Sequence, residues 1–140
     1  VIGPYDAPKV RLPGSGGACE IAMNAQRTFI IMRLKKRAFV ERLDFLTSPG
    51  HLDGGDARKR LGMRGEGPAY VISDMALFDF ENPVREMQLV SLHPGVTVEQ
   101  VRSEIGWGIR LAREIGETLA PTEEELWLIR DELDPEGMYR

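Results

Sequence analysis

The stretch KVRLPGSGGACEIAMNAQRTFIIM, residues 9–32, sets the frame in which the rest of the chain is read. Residues 9–12 form a short β-like run that Pro13 halts, because proline cannot donate to a sheet ladder. A bare turn of Gly14, Ser15, Gly16 and Gly17 follows. Beyond it, Ala18, Ile21, Ala22 and Ala25 fall at i, i+3, i+4 and i+7, the apolar face of a short helix. That face is built almost wholly of small side chains, which predicts close packing on a sheet. Residues 28–32 are a continuous apolar run rich in β-formers and read as a buried strand.

Working outward, residues 38–45 satisfy helical spacing through Phe39, Val40, Leu43 and Leu46, and nearly alternate through Phe39, Glu41, Leu43 and Phe45; the reading adopted is a strand. Gly, Pro and Asp are dense in residues 48–68, which predicts a long, mostly irregular loop of the kind that often carries function. Residues 70–73, 75–80 and 87–93 read as strands, the last two joined as an antiparallel hairpin through ENPVRE, with Asn82-Pro83 as the turn. Thr97 with Gln100, and Thr122 with Glu125, repeat the capping-box pattern ahead of Val98, Val101 and Ile105 and of Leu126, Ile129 and Leu133. Gly106 and Asp134-Pro135 supply the stops, and the acidic run 123–125 complements a helix dipole.

The 140 residues amount to one domain, 1–140, able to bury a core. With 42% hydrophobic and 29% charged residues, the composition is that of a globular protein and not of a disordered chain. No apolar run approaches the roughly 20 residues that span a bilayer, so no membrane association is expected. The lone Cys19 excludes an internal disulfide and a CxxC metal site, His51 and His93 are too few for zinc, and a cytoplasmic, metal-free protein is the expectation. The net charge of −4 is uneven: residues 1–70 hold 12 Lys and Arg against 7 Asp and Glu, whereas 71–140 hold 6 against 15. The positive half can face an anionic ligand or partner. Without a basic stripe interleaved with aromatics, and with a pI of about 5.3, nucleic acid is not the expected partner.

A strand, a glycine turn and a helix in series make an anion or oxyanion site possible, since the first helical amides lack carbonyl partners and glycine admits a ligand close to the main chain. Three specific motifs fail. Cys19 stands where GxGxxG needs its third glycine, no GK[ST] follows for a P-loop, and Ser15 follows Gly14 directly, which breaks GxSxG. A plain tight turn remains the alternative.

Four ordered blocks carry more information: KVRLPGSGGACEIA, FVERLDFLTSPGHLDGGDARKRLG, LHPGVTVEQVRSEIGW and PTEEELWLIRDELDPEG. Together they resemble the β subunit of class I coenzyme A transferases, in the glutaconate CoA-transferase branch, over nearly the whole chain. The resemblance implies an open α/β sheet of the CoA-transferase type, here without its amino-terminal part, in a hetero-oligomer whose active site lies between an α and a β subunit. It implies that Gly14, Ser15, Gly16, Gly17 and Ala18 line the acyl-CoA site, their amides near the thioester carbonyl. Such preorganised amides contribute about 3 to 4 kcal/mol each to a transition state. The implied reaction is ping-pong: a glutamate carboxylate attacks an acyl-CoA, giving an anhydride and then a glutamyl-CoA thioester that passes CoA to a carboxylic acid.

The ENG-type motif that bears the family's nucleophile does not occur in the chain. The resemblance therefore implies that roughly 100 amino-terminal residues of a family-length subunit, a domain's worth, lie outside this sequence, and that the chain alone is inactive. A related branch, hydrolases that open a ring of a CoA-linked steroid catabolite, dispenses with that nucleophile and uses water. Glu20 bears on this choice, because many transferases carry Asp there; Glu20 is a candidate to orient the loop or act near substrate, or else only complements the helix start. A non-catalytic subunit-interaction fragment is the third reading. Cys19 is expected to pack beneath the turn and not to react, and His93 is expected to have no catalytic role. Asp53, Asp56, Arg58, Lys59 and Arg60 invite a CoA-phosphate or subunit-contact reading, set against solvated loop charges.

Overall fold

A computed structural model of the chain describes residues 2–138. Five strands form one open sheet in chain order: β1 Thr28–Ile31, β2 Pro68–Ile72, β3 Ala76–Asp79, β4 Gln88–Leu92 and β5 Arg110–Glu117. The outer pairs β1·β2 and β4·β5 are parallel, and the inner pairs β2·β3 and β3·β4 are antiparallel. Helices α1 Ala18–Asn24, α2 Ala57–Arg60, α3 Val98–Ser103 and α4 Glu123–Trp127 complete the α/β fold, and α4 continues as a π-helical segment, Leu128–Leu133.

Local chemistry explains the inner turns. At the β2–β3 turn the Ser73 hydroxyl accepts the Met75 and Ala76 amides at 3.1 and 2.9 Å and donates to the Ala76 carbonyl at 2.8 Å. In the expected β3–β4 hairpin, the Asn82 side chain bonds both backbone groups of Glu86, and buried Asp79 accepts from Gln88 at 2.8 Å. Both capping boxes form as the sequence predicts. His93 Nε2 donates to the Ser73 carbonyl at 2.8 Å, a structural tie.

The register aligns one row of side chains across the sheet: Ile30, Val71, Phe78, Leu89 and Leu111. Phe78, Leu89 and the α3 residue Val101 are fully buried, and Ile105 just beyond α3 is buried with them. Burying each of these relative to exposure contributes about 1.5–3 kcal/mol. Burial then falls off toward both edges, being partial at Leu111 and lost at Ile30.

The structure corrects four expectations. First, β1 is a strand but not a buried one: it lies at the sheet edge, with Phe29 57% and Ile31 79% exposed. Second, among the described residues, 9–12 make a single bridge, Ile2 to Val10, and no strand. Third, residues 38–45 are irregular: a turn closes at Ala38 and bends follow it. Phe39 enters the core from a turn whose Lys35 carbonyl accepts the Ala38 and Phe39 amides, and the Phe39 carbonyl takes the Gly106 amide at 2.7 Å, so no neighbouring strand is needed. A Cβ at Gly106 would stand 2.8 Å from that oxygen, so this glycine permits close approach, while α3 already ends at Ser103. Fourth, β5 has no counterpart in the sequence reading. Between the pairs Leu89–Leu111 and Ser91–Gly116 it covers five residues where β4 covers two, an irregularity that erases the period-two signal.

Candidate functional site

Gly14, Ser15, Gly16 and Gly17 form an exposed turn into α1, with Gly16 in the left-handed region at φ +53°. A Cβ built on Gly14, Gly16 or Gly17 meets nothing within 4 Å, so the turn is open on its outer side. The Ala18 amide is already taken by the Ser15 carbonyl at 3.1 Å, which removes one of the amides the resemblance assigns to a ligand. Glu20 is exposed in the first turn of α1, and its carbonyl accepts from Asn24 at 2.9 Å. Cys19 is half-buried with its Sγ 3.9 Å from Met23 Sδ, a packing contact along the helix.

The alanine face of α1 does not lie on the sheet: the helix buries no residue, and Ile21 is 66% exposed. Its carboxy-terminal end is held instead by the long loop. Arg58, only 7% exposed, donates from Nη2 to the Ala22 and Met23 carbonyls at 3.3 and 3.0 Å, from Nη1 to Gly50 at 2.6 Å and from Nε to Gly65 at 2.8 Å. A guanidinium with four carbonyl partners at a helix end satisfies orphan acceptors and complements the dipole. A Cβ at Gly65 would collide with the Ala25 and Met23 carbonyls, so the loop reaches α1 only because that residue is glycine. Arg58 is thus neither a solvated charge nor a free phosphate ligand. Arg60 is also accounted for, in an ion pair with Asp56 on the exposed face of α2. Lys59 alone of the basic trio keeps an unengaged head, and Asp53 stays exposed on the loop.

His51 lies in the same loop, its ring centroid 4.7 Å from Phe80 and its Nε2 donating to the Pro68 carbonyl at 2.8 Å. Burial lowers the pKa of the imidazole, the Arg85 and Arg58 charges push the same way, and the Pro68 hydrogen bond opposes them. The imidazole is therefore held toward its neutral form. Arg85, brought in from the β3–β4 hairpin, and Arg64, from the end of the loop, complete the surroundings. Neither carried a local sequence signal; only the approach of two loops 20 residues apart assembles them.

The site therefore combines an open glycine turn, a short helix, and a loop clamped to that helix by a buried arginine. Residues 1–104 match the family model described as coenzyme A transferase. The chain belongs to that family. It is 52% identical over 130 residues to the B-type subunit of 3-oxoadipate CoA-transferase from Pseudomonas knackmussii, an alignment covering 93% of this chain and 50% of the relative. The crystal structure of glutaconate coenzyme A-transferase from Acidaminococcus fermentans superimposes with a TM-score of 0.85 at 37% identity, covering 99% of this chain and 53% of that one. The cholesterol ring-cleaving hydrolase IpdB subunit of Rhodococcus jostii is 32% identical over 144 residues, with 98% and 53% coverage. The chain spans about half the length of these relatives. No helix of the described residues is long and apolar enough to cross a membrane.

Proposed function

We propose that this chain is one domain, the carboxy-terminal portion of a B-type CoA-transferase subunit, acting with an α subunit in a cytoplasmic hetero-oligomer that moves coenzyme A from an acyl-CoA to a carboxylic acid. The observation that carries the reading is the open glycine turn at the head of α1, unobstructed at Gly14, Gly16 and Gly17, in a chain that matches the family over residues 1–104. The role of Gly14, Ser15, Gly16, Gly17 and Ala18 is to bring main-chain amides to the thioester, where negative charge develops on attack. With the Ala18 amide engaged by Ser15, the free donors come from the residues on either side of it. The attacking carboxylate belongs to the part of a family-length subunit that this sequence does not span. Glu20, in the first turn, bears on the electrostatics of the same amides.

The test is isotope exchange: the complete, partnered enzyme equilibrates label between an acyl-CoA and its free acid, whereas absence of exchange across short-chain mono- and dicarboxylate pairs defeats the reading. The 32% identity to the ring-cleaving hydrolase subunit supports a second reading, consumption of a polycyclic acyl-CoA with water and no acceptor acid. Borohydride separates the two, since it traps a glutamyl-CoA adduct only in a transferase. Binding to an α subunit with neither activity would leave the interaction-fragment reading.

A further inference from the structure

Beside the anchored end of α1 lies a cleft of about 470 Å³ whose charged lining includes His51, Asp56, Lys59, Arg64, Glu66 and Arg85, with Arg58 in its wall. Asp56 is neutralised by Arg60, and among the described residues the only other ion pair is Arg110–Glu86, on β5 and the hairpin. Lys59, Arg64 and Arg85 thus face the cleft without a partner, against the single unpaired carboxylate of Glu66. Three unpaired, exposed cations lining one concavity give it a positive potential that draws an anion.

The backbone at Arg85 adds an independent observation. Arg85 has φ +54°, one of two non-glycine residues in the left-handed region among the described residues; the other, Leu52, sits in the loop opposite. Its conformation is enforced from three sides. Its amide donates to the Asn82 carbonyl at 3.0 Å, the Asn82 side chain bonds the next residue, and the Val84 carbonyl presses on Gly54 so closely that no Cβ fits there. The hairpin turn thereby holds the Arg85 main chain at the mouth of the cleft. Arg85 also borders the two adjoining clefts, toward Asn82 and toward Tyr70.

We infer that this cleft binds the phosphate-bearing end of a nucleotide ligand through Lys59, Arg64 and Arg85. The ligand class follows from the donors: guanidinium forks and an ammonium suit the several oxygens of a pyrophosphate. The inference rests on the CoA reading above and deepens it. The glycine turn and the cleft sit at opposite ends of α1, whose seven residues are about 10 Å long. An extended pantetheine arm exceeds that span, so one CoA molecule can reach both. Arg58, which ties the helix end to the cleft wall, sets their spacing.

The test compares two thioesters in the assembled enzyme: an acyl-CoA, and the acyl-pantetheine that lacks the phosphates. In the Lys59→Gln, Arg64→Gln, Arg85→Gln variant the KM advantage of acyl-CoA over acyl-pantetheine falls about tenfold or more; an unchanged ratio overturns the inference. A direct arm, calorimetry with inorganic pyrophosphate, separates failure of this cleft from failure of the CoA reading. Binding to the wild type that is lost in the variant sustains the anion site even if no CoA is transferred, and absence of binding to the wild type overturns it. Should the triple variant not fold, Arg85→Gly serves, because glycine accepts φ +54° without strain: pyrophosphate binding weakens while thermal stability holds or rises. Binding unchanged in that variant, or binding and stability falling together, overturns the role of Arg85.

Discussion

The middle of the sheet and its β1 edge are written in nearly the same residues and end in opposite environments. Val71, Phe78 and Leu89 sit in one row and are buried; Ile30 extends the same row and, with Phe29 and Ile31, is exposed. The middle strands have neighbours on both edges and α3 against them, whereas β1 has only β2. An apolar strand is therefore a statement of what a chain can bury, and topology decides whether anything is there to bury it. An open apolar edge is also a surface that natural proteins normally cover.

The largest expected effect puts that contrast to a direct measurement. Phe78→Ala removes a fully buried ring and should cost about 3–5 kcal/mol in urea unfolding, whereas Ile31→Ala at the edge should stay within about 0.5 kcal/mol. Equal losses at the two positions would break the comparison and mean that β1 is covered in solution. A middle-sized effect sharpens it, because the two helices with identical capping boxes differ in the same way. Thr97 caps α3, which buries Val101, and Thr97→Ala should lower global stability by about 1 kcal/mol. Thr122 caps α4, which buries nothing; Thr122→Ala should speed amide exchange within α4 and leave the global midpoint in place. A shift of that midpoint would show α4 docked.

The smallest effect concerns the loop between the two regions. Because His51 titrates lower in the folded state than in the unfolded chain, its contribution is fully present above histidine's ordinary value of about 6.5 and is lost as pH falls through the folded value. Melting temperature should therefore decline on acidification below about pH 6.5, and more steeply than in His51→Gln. Parallel profiles for the two proteins would remove His51 from the account.

The sequence made the local devices legible. Thr97 and Thr122 declare helix starts because a cap is a bond over three residues, and Asn82-Pro83 declares a turn for the same reason. The ordered blocks made the family legible, and with it the glycine turn. What was not legible depended on partners distant in sequence. Residues 38–45 look like a strand until Phe39 is seen filling a gap beside Phe78. β5 is hidden by its irregular register against β4. In the site, "DARKR" reads as three equivalent cations, yet one is buried on four carbonyls, one is paired with Asp56, and only Lys59 brings an unengaged head to the cleft.

By itself, then, the sequence determined the caps and turns and the bare main chain ahead of α1, all consequences of interactions within a few residues, while the α/β class came through the family resemblance of its ordered blocks. Only the tertiary structure decided which apolar strand is covered, which arginine becomes a clamp, and which cations from the loop and the hairpin meet at one cleft. Those outcomes turn on burial and charge between groups brought together from 20 to 40 positions apart, and no local pattern records such distances.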